Sequence, residues 1–397
     1  MQLPEDFIRT TTRLLGPERF ASYLQSFEED PPVSIRLNPL KNAQWKVEQG
    51  EKVAWCRNGY YLPTRPNFTF DPLFHAGCYY VQEAASMFLD EVLRQILNSQ
   101  FSILNSLDLC AAPGGKSTLL RAALPADSVL YSNEPMQKRA SILLENVQKW
   151  GYANHFVTNL YPRDYRKSKM KFNLILCDVP CSGEGMFRKD EATIREWSLQ
   201  NVEKCWQLQR QIVSDAWECL CDGGILIYST CTFNTKENEE NVRWMLSHFD
   251  AEAIPIATKP EWQIMGSLLE GFSEPVYRFI PGITRSEGLF MCLLRKRGTH
   301  SASPQRASVP TMTPFLLHDN APRVELSYPQ ALAYLRHEAL TLPPETPRGL
   351  VEVCFMGEPL GLVKNIGNRA NNLYPKEWRI KTTHVPQDYE PSSILSS

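Results

Sequence analysis

Between residues 104 and 297 short apolar runs alternate with amphipathic stretches, and this alternation limits the fold more than any other feature of the chain. Strand-like runs cover 104–109, 128–133, 172–177, 224–229 and 288–294. Met136, Ala140, Leu143, Leu144, Val147 and Trp150 share one helical face, and Val202, Trp206, Val213, Ala216 and Leu220 share another. Asn234-Thr-Lys-Glu237 offers a capping residue with Glu three positions on, which predicts a further helix start. Strands and helices alternating at this length predict a doubly wound α/β sheet, in which ligands gather beyond the carboxyl ends of the strands.

A chain of 397 residues has room for two or three domains. Its 42 basic and 44 acidic side chains exclude a protein that is basic all over, so any nucleic-acid contact needs a local basic surface. The 11 cysteines are odd in number, scattered from Cys56 to Cys354 and never spaced C-x-x-C, which argues against a disulfide framework and a zinc ribbon. The first residues carry no basic-then-apolar leader pattern, and runs such as 224–228 are too short to cross a bilayer. These features predict a reduced, cytoplasmic protein with free thiols, no membrane contact and no metal. A Ser-, Thr- and Pro-rich stretch from Gly298 onward reads as a linker, and the residues from about Asp388 as a frayed polar tail.

Four loops at strand ends carry the chemistry. Asp108-Leu-Cys-Ala-Ala-Pro-Gly-Gly-Lys-Ser117 turns an apolar strand into a helix through two glycines, presenting backbone N–H groups to a ligand. It is not a phosphate-binding P-loop, because Cys110 stands where that motif needs glycine. Glu134 ends the next strand, a position suited to accepting ribose hydroxyls. The third loop, Leu176-Cys-Asp-Val-Pro-Cys-Ser-Gly-Glu-Gly185, presents Asp178 and Cys181; the fourth, Tyr228-Ser-Thr-Cys-Thr-Phe233, presents Cys231. Adjacent parallel strand ends open on one edge, so the two thiols are expected to face one pocket. A thiol pair beside a carboxylate suits nucleophilic catalysis better than packing.

Ala111-Ala-Pro-Gly-Gly-Lys116, Asp178-Val-Pro-Cys-Ser-Gly183 and Ser229-Thr-Cys-Thr232 together resemble the signature set of the Sun/Fmu-type RNA (cytosine-5) methyltransferases, within them the RsmF/YebU-like ribosomal branch. Ser34-Ile-Arg-Leu-Asn38 and Gly77-Cys-Tyr-Tyr-Val-Gln-Glu83 upstream, and the segment from Gly361 to Arg379 downstream, extend the resemblance over nearly the whole chain. It implies a class I S-adenosylmethionine-dependent methyltransferase (Rossmann-like) core over 96–297. Around it would lie an N-terminal RNA-binding extension over 1–95, a linker over 298–315, a small PUA-like β domain over 316–383 and a tail over 384–397. It further implies S-adenosyl-L-methionine as cofactor, held by Cys110, Ala111, Ala112, Pro113, Gly114, Gly115, Lys116, Glu134 and Asp178. Asn159 stands where the family has an acidic residue, with Asp164 following, so the third cofactor contact falls to one or the other.

On the same resemblance Cys231 is the nucleophile on carbon 6 of cytosine, Cys181 assists proton loss and product release, Asp178 steadies the ring at nitrogen 3, and Lys116 orients Asp178 or the thiolate. The expected partner is RNA, ribosomal RNA or a ribosomal subunit, bound by a monomer. Transfer RNA, or a non-catalytic assembly factor on the same fold, are the alternatives. Between residues 361 and 383 the basic residues are Lys364, Arg369, Lys376, Arg379 and Lys381, with Glu377 the sole acid and Tyr374 and Trp378 among them. Basic residues interleaved with aromatics suit phosphate contact and base stacking, with Trp378 itself assigned to the core. Arg36, Asn38, Arg188 and Lys189 are expected to extend this RNA surface toward the pocket.

Overall fold

Asp178 ends a strand whose six preceding residues are all buried, the mark of a strand covered on both faces. The computed structural model places it at the centre of the molecule and describes residues 3–41, 45–47, 49–99, 102–298, 309–312, 321–382 and 394–396. Upstream lie β1 (Val33–Leu37), β2 (Lys46–Val47), β3 (Glu51–Lys52), β4 (Gly59–Leu62) and β5 (Tyr79–Val81). The central strands are β6 (Asn105–Asp108), β7 (Val129–Asn133), β8 (His155–Thr158), β9 (Phe172–Asp178), β10 (Leu220–Thr230), β11 (Ala251–Ala253), β12 (Tyr277–Phe279) and β13 (Leu289–Lys296). Downstream follow β14 (Arg323–Glu325), β15 (Gly349–Phe355), β16 (Glu358–Asn365), β17 (Ala370–Asn372) and β18 (Leu395–Ser396).

The central sheet has the order β11-β13-β10-β9-β6-β7-β8, with β12 also on β13. From β8 to β10 the neighbours are parallel, β13 runs antiparallel to β10, and β11 and β12 pair antiparallel with β13. The chain leaves β6 toward β7 and β8 and then returns to β9 on the other side. The topological switch therefore falls between β6 and β9, where such sheets bind ligands. Helices cover both faces. The helix Leu199–Cys219 starts where Ser198 accepts the Asn201 N–H at 3.0 Å, and buries Val202, Ile212, Val213, Ala216 and Trp217. Leu220, expected on that helix, instead opens β10, which bulges before Ile225. Asn234 and Glu237 do bond each other as a capping pair would, yet they close a turn, and the helix begins only at Glu239.

The flanking sheets are less separate than the composition suggests. β3, β4, β1 and β5 form one antiparallel sheet, and β14 to β17 form another. Ile35, Leu37 and Tyr79 from the first, with Phe70 and Leu73 from the helical turns before β5, share one buried cluster with Val351 and Val363 from the second and Leu332 and Leu335 from the helix Tyr328–Leu335. The boundary expected at 95/96 falls inside the continuous helix Phe88–Asn98, whose Phe88, Val92 and Leu93 pack into the central core with Leu120, Leu174 and Ile227. The tail departs from expectation too: Leu395 is fully buried and β18 pairs with β2, because an apolar Ile394-Leu395 gains more from that cluster than from water. Most of the linker lies outside the described residues, as does the tail before Ile394. Among the described residues no helix is long and apolar enough to cross a membrane.

A shared core predicts shared unfolding. Leu335→Ala, at a position with no solvent exposure, should cost about 2–5 kcal/mol. Calorimetry should show the N- and C-terminal sheets melting in one transition. A C-terminal unit that melts alone would contradict this.

Candidate active site

The glycine loop leaves β6 at Asp108 and enters the helix Gly115–Ala123 through Gly114 at φ 117°, a left-handed conformation that glycine adopts without strain. A Cβ there would lie 3.3 Å from Leu143 Cδ1, so the loop is pressed against the next helix, Gln137–Trp150. Its backbone is held from several sides. The Ala111 N–H donates to the Asn133 carbonyl at 2.8 Å, Arg139 donates to the Ala112 carbonyl at 3.0 Å, and Asn146 donates to the Pro113 carbonyl at 2.8 Å. Cys110 is half-buried, and burial pushes its thiol well above the ordinary range. Asp108 is fully buried, accepts a 2.5 Å hydrogen bond from Ser117 and is pushed up to about 7 by burial.

One strand over, Glu134 accepts the Met136 N–H at 2.9 Å and pairs with Arg139 at 3.0 Å. The Asn159 amide donates to the Glu134 carbonyl oxygen at 2.7 Å, whereas Asp164 accepts the Tyr161 N–H and caps the helix Pro162–Ser168. Asn133, which sequence reading passed over, ties these strand ends together. Its amide donates to the carbonyls of Leu109 and Leu160, and its oxygen accepts from Thr158 and Leu160.

Across the switch, Lys116 Nζ lies 2.8 Å from Asp178 Oδ2, and Ser229 Oγ donates to Oδ1 at 2.9 Å. Burial works against the Lys116 ammonium, but the acidic groups around it, Asp178 foremost, together raise Lys116 above its usual value. Just beyond, the Sγ atoms of Cys181 and Cys231 are 2.9 Å apart, and the Cys231 N–H points at Cys181 Sγ at 3.3 Å. The hydrogen bond with Cys231 and then burial push the Cys181 thiol well up. The structure thus brings Lys116, Asp178, Cys181 and Cys231 together at the strand ends.

Two buried carboxylates fix the cysteine loops. Glu184 accepts the Phe233 N–H at 2.7 Å, the Asn234 N–H at 2.9 Å and the Trp197 indole N–H at 3.0 Å. Glu237 accepts the Ser182 N–H at 3.0 Å, Gln209 at 2.7 Å and Asn234 at 2.7 Å. The Gly185 N–H donates to the Cys231 carbonyl at 2.8 Å, and a Cβ on Gly185 would come within 2.7 Å of that oxygen and of Gly288 Cα. Glu184 carries no sequence signal beyond its place in Gly183-Glu-Gly185, because an isolated Glu in a polar loop looks like surface, whereas Asn234 and Glu237 are legible only as a helix-capping pair.

The expected RNA residues divide. Lys189, Lys364, Arg369, Lys376 and Arg379 are exposed. Arg36, Asn38 and Arg188 depart from the expectation, because each is occupied inside the fold. Arg36 is buried beneath Trp150 and donates to Gln82, Thr118 and the Gly115 carbonyl, bracing the glycine loop. Asn38 is buried and donates to the carbonyls of Gly77 and Trp150. The Arg188 side chain, 6% exposed, donates to the Glu29 carbonyl and faces Glu287 at 3.8 Å. Among the described residues no His, Cys, Asp and Glu group has metal-binding geometry.

Asp108 generates a pH prediction. Its folded value, about 7, lies above the ordinary 3.8. The folded state therefore binds its proton more tightly, and its contribution to stability is present below the ordinary value and lost as pH rises through about 7. Stability measured by urea unfolding should decline with pH across that window more steeply in the wild type than in Asp108→Asn. Parallel curves would refute it.

A family model for 16S rRNA methyltransferase RsmB/F matches residues 95–295. Models for the N-terminal domain of 16S rRNA methyltransferase RsmF and for the methyltransferase RsmF PUA domain match residues 3–84 and 321–380. The chain is 31% identical over 324 residues to the ribosomal RNA small subunit methyltransferase F of Pectobacterium atrosepticum, across 76% of this chain and 64% of that protein. It is 30% identical to the Vibrio cholerae protein of the same name, across 78% and 66%. The chain thus spans less than two thirds of the length of these relatives. A methyltransferase homologue from Pyrococcus horikoshii superposes with a TM-score of 0.59 at 25% identity, covering 74% of this chain and all of that one. NSun6 from the same organism, solved with SFG, superposes at 0.61 with 19% identity, covering 75% and 99%, a likeness of fold.

Proposed function

The chain belongs to the RsmB/F family of 16S rRNA methyltransferases, and from that footing we propose that it methylates carbon 5 of a cytosine in RNA, with ribosomal RNA as substrate and S-adenosylmethionine as methyl donor. The observation that carries this reading is the pair of sulfurs 2.9 Å apart, presented by two neighbouring strand ends beside the Lys116–Asp178 ion pair. The chain's own residues fit the donor. The left-handed Gly114 keeps the loop backbone bare where a side chain would crowd it, Glu134 offers a carboxylate for ribose hydroxyls, and Asp178 offers a second for the cationic end. Asn159, bonded to Glu134, supplies the remaining polar contact. When bound, the donor supplies an electrophilic methyl group.

Cytosine carbon 5 is a poor nucleophile until a thiolate adds at carbon 6 and breaks the ring's aromaticity. In this reading Cys231 gives its thiol proton to solvent and forms the sulfur–carbon 6 bond, while Asp178, held by Lys116 and Ser229, hydrogen-bonds the ring edge where charge develops. After methylation, carbon 5 still carries its original hydrogen. With Cys231 bonded to carbon, Cys181 gives its proton to solvent and acts as base. Its thiolate takes the proton from carbon 5, the sulfur–carbon 6 bond breaks and the aromatic ring returns. The base must leave its stack to reach these groups, which favours unpaired RNA. The working unit is a single chain in the cytoplasm.

Transfer of labelled methyl from S-adenosylmethionine to ribosomal RNA tests the reading directly. Cys231→Ala should abolish transfer, and Cys181→Ala should leave a protein–RNA adduct that survives a denaturing gel. An adduct that requires Cys181 would reverse the two roles. Lys116→Met should lower kcat about a hundredfold, the scale of losing one preorganised electrostatic partner. Donor binding with no RNA labelled would instead favour a non-catalytic assembly factor.

A further inference from the structure

Positions 202, 206, 209, 213 and 216 share one face of the helix Leu199–Cys219, and at 209 that otherwise apolar row carries an amide, Gln209. Its exposure is 0%. A carboxamide offers two N–H donors and two acceptor positions, and Gln209 uses all four. Nε2 donates to the Pro180 carbonyl at 2.9 Å and to Glu237 Oε2 at 2.7 Å. Oε1 accepts from the Asn241 amide at 2.8 Å and from the Tyr228 hydroxyl at 3.1 Å. A buried amide satisfied in this way keeps nothing for a ligand, so what it does is hold protein groups in place.

The groups it holds bracket one of the two cysteines. The Pro180 carbonyl belongs to the peptide just before Cys181. The Ser182 N–H, in the peptide just after, donates at 3.0 Å to the same Glu237 Oε2 that Gln209 bonds. Both peptide planes around Cys181 are thereby tied to one side chain, the first directly and the second through a shared oxygen. Fixing both planes fixes the Cys181 backbone dihedrals and hence where its Cβ points. Cys231 is held chiefly by other groups. Its carbonyl accepts the Gly185 N–H at 2.8 Å, the next carbonyl, of Thr232, accepts the Asn238 amide at 3.0 Å, and the Phe233 N–H goes to Glu184. Gln209 meets that part of the chain at Tyr228 and at Glu237, on either side of Cys231 but next to neither of its peptides.

We propose that Gln209 is a positioning residue for the second half of the reaction: it aims the Cys181 sulfur at the hydrogen on carbon 5 and so sets how fast the covalent intermediate resolves, not how fast it forms. The inference rests on the cytosine-5 reading and adds to it a residue and the step on which that residue acts. In that step the Cys181 thiolate takes the carbon 5 proton. The pair from the carbon–hydrogen bond becomes the carbon 5–carbon 6 double bond, and the sulfur–carbon 6 bond breaks with its pair on Cys231. A base must lie within hydrogen-bond reach of the proton it removes, and misplacement by about 1 Å can cost about a hundredfold in rate.

Gln209→Glu keeps the side-chain shape and the acceptors for Tyr228 and Asn241. Beside Glu237 the two carboxyl groups share one proton, which leaves the Pro180 carbonyl without its donor. Gln209→Met removes all four bonds and serves as the second variant, and either one that folds decides the matter. The readout is a rapid-quench time course with a 16S rRNA transcript and labelled S-adenosylmethionine, in which the protein–RNA adduct is resolved on a denaturing gel. The adduct should form at the wild-type rate and decay about tenfold more slowly, the scale of one net hydrogen bond. kcat should then fall while donor affinity stays unchanged. A purely structural role predicts a lower melting temperature or a smaller active fraction, with both rate constants as in the wild type. Wild-type decay in a folded variant, or formation and decay slowed alike, overturns the proposal and leaves the methyltransferase reading intact. A wild type that labels no RNA removes that reading, and this proposal with it.

Discussion

Two loops from different strands hold their sulfurs in contact only because the polar backbone beneath them is satisfied without water. Glu184 and Glu237 do this. Each is buried, each accepts backbone N–H groups from a cysteine loop, and Asn234 bonds both. Burial pushes Glu237 up, while its bonds from Ser182, Asn234 and Gln209 act the other way, so the carboxylate depends on its donors as they depend on it. The contact of Gly185 with Gly288 then leaves no slack, since a single Cβ has nowhere to go. The thiol pair is positioned by this scaffold, while the carboxylate of Asp178 is held separately by Lys116 and Ser229.

The sequence disclosed what periodicity and turn chemistry encode. The central strands appear in the run of buried residues at 172–177 and 289–294, and the glycine loop appears because a strand, two glycines and a helix coincide. Cys181 and Cys231 were legible as a pair because adjacent parallel strands end on the same edge. Short elements were not legible. β8, β11 and β12 span 155–158, 251–253 and 277–279, too few residues each to show an alternation.

Polar residues misled for a definite reason. Arg36, Asn38 and Arg188 carry the polar groups of an RNA contact, but each faces carbonyls that only tertiary structure brings near: Gly115 for Arg36, Trp150 for Asn38, Glu29 for Arg188. A sequence gives no hint of such distant acceptors. Trp378, read as core, is half-buried and packs against the edge of the shared cluster. Lys364, Arg369, Lys376 and Arg379 remain on the surface.

The common core of the two flanking sheets has a bearing on descent. Tyr328 donates to the Phe70 carbonyl, and Leu335 and Leu395 fill space beside Leu37 and Tyr79. A lineage that lost the downstream sheet by a stop codon would leave an oily face on the upstream one, and one that exchanged it for a foreign module would face a mismatched seam. The first and last thirds of this chain are therefore constrained to be inherited together and to drift in step, although the methyltransferase fold separates them in the gene.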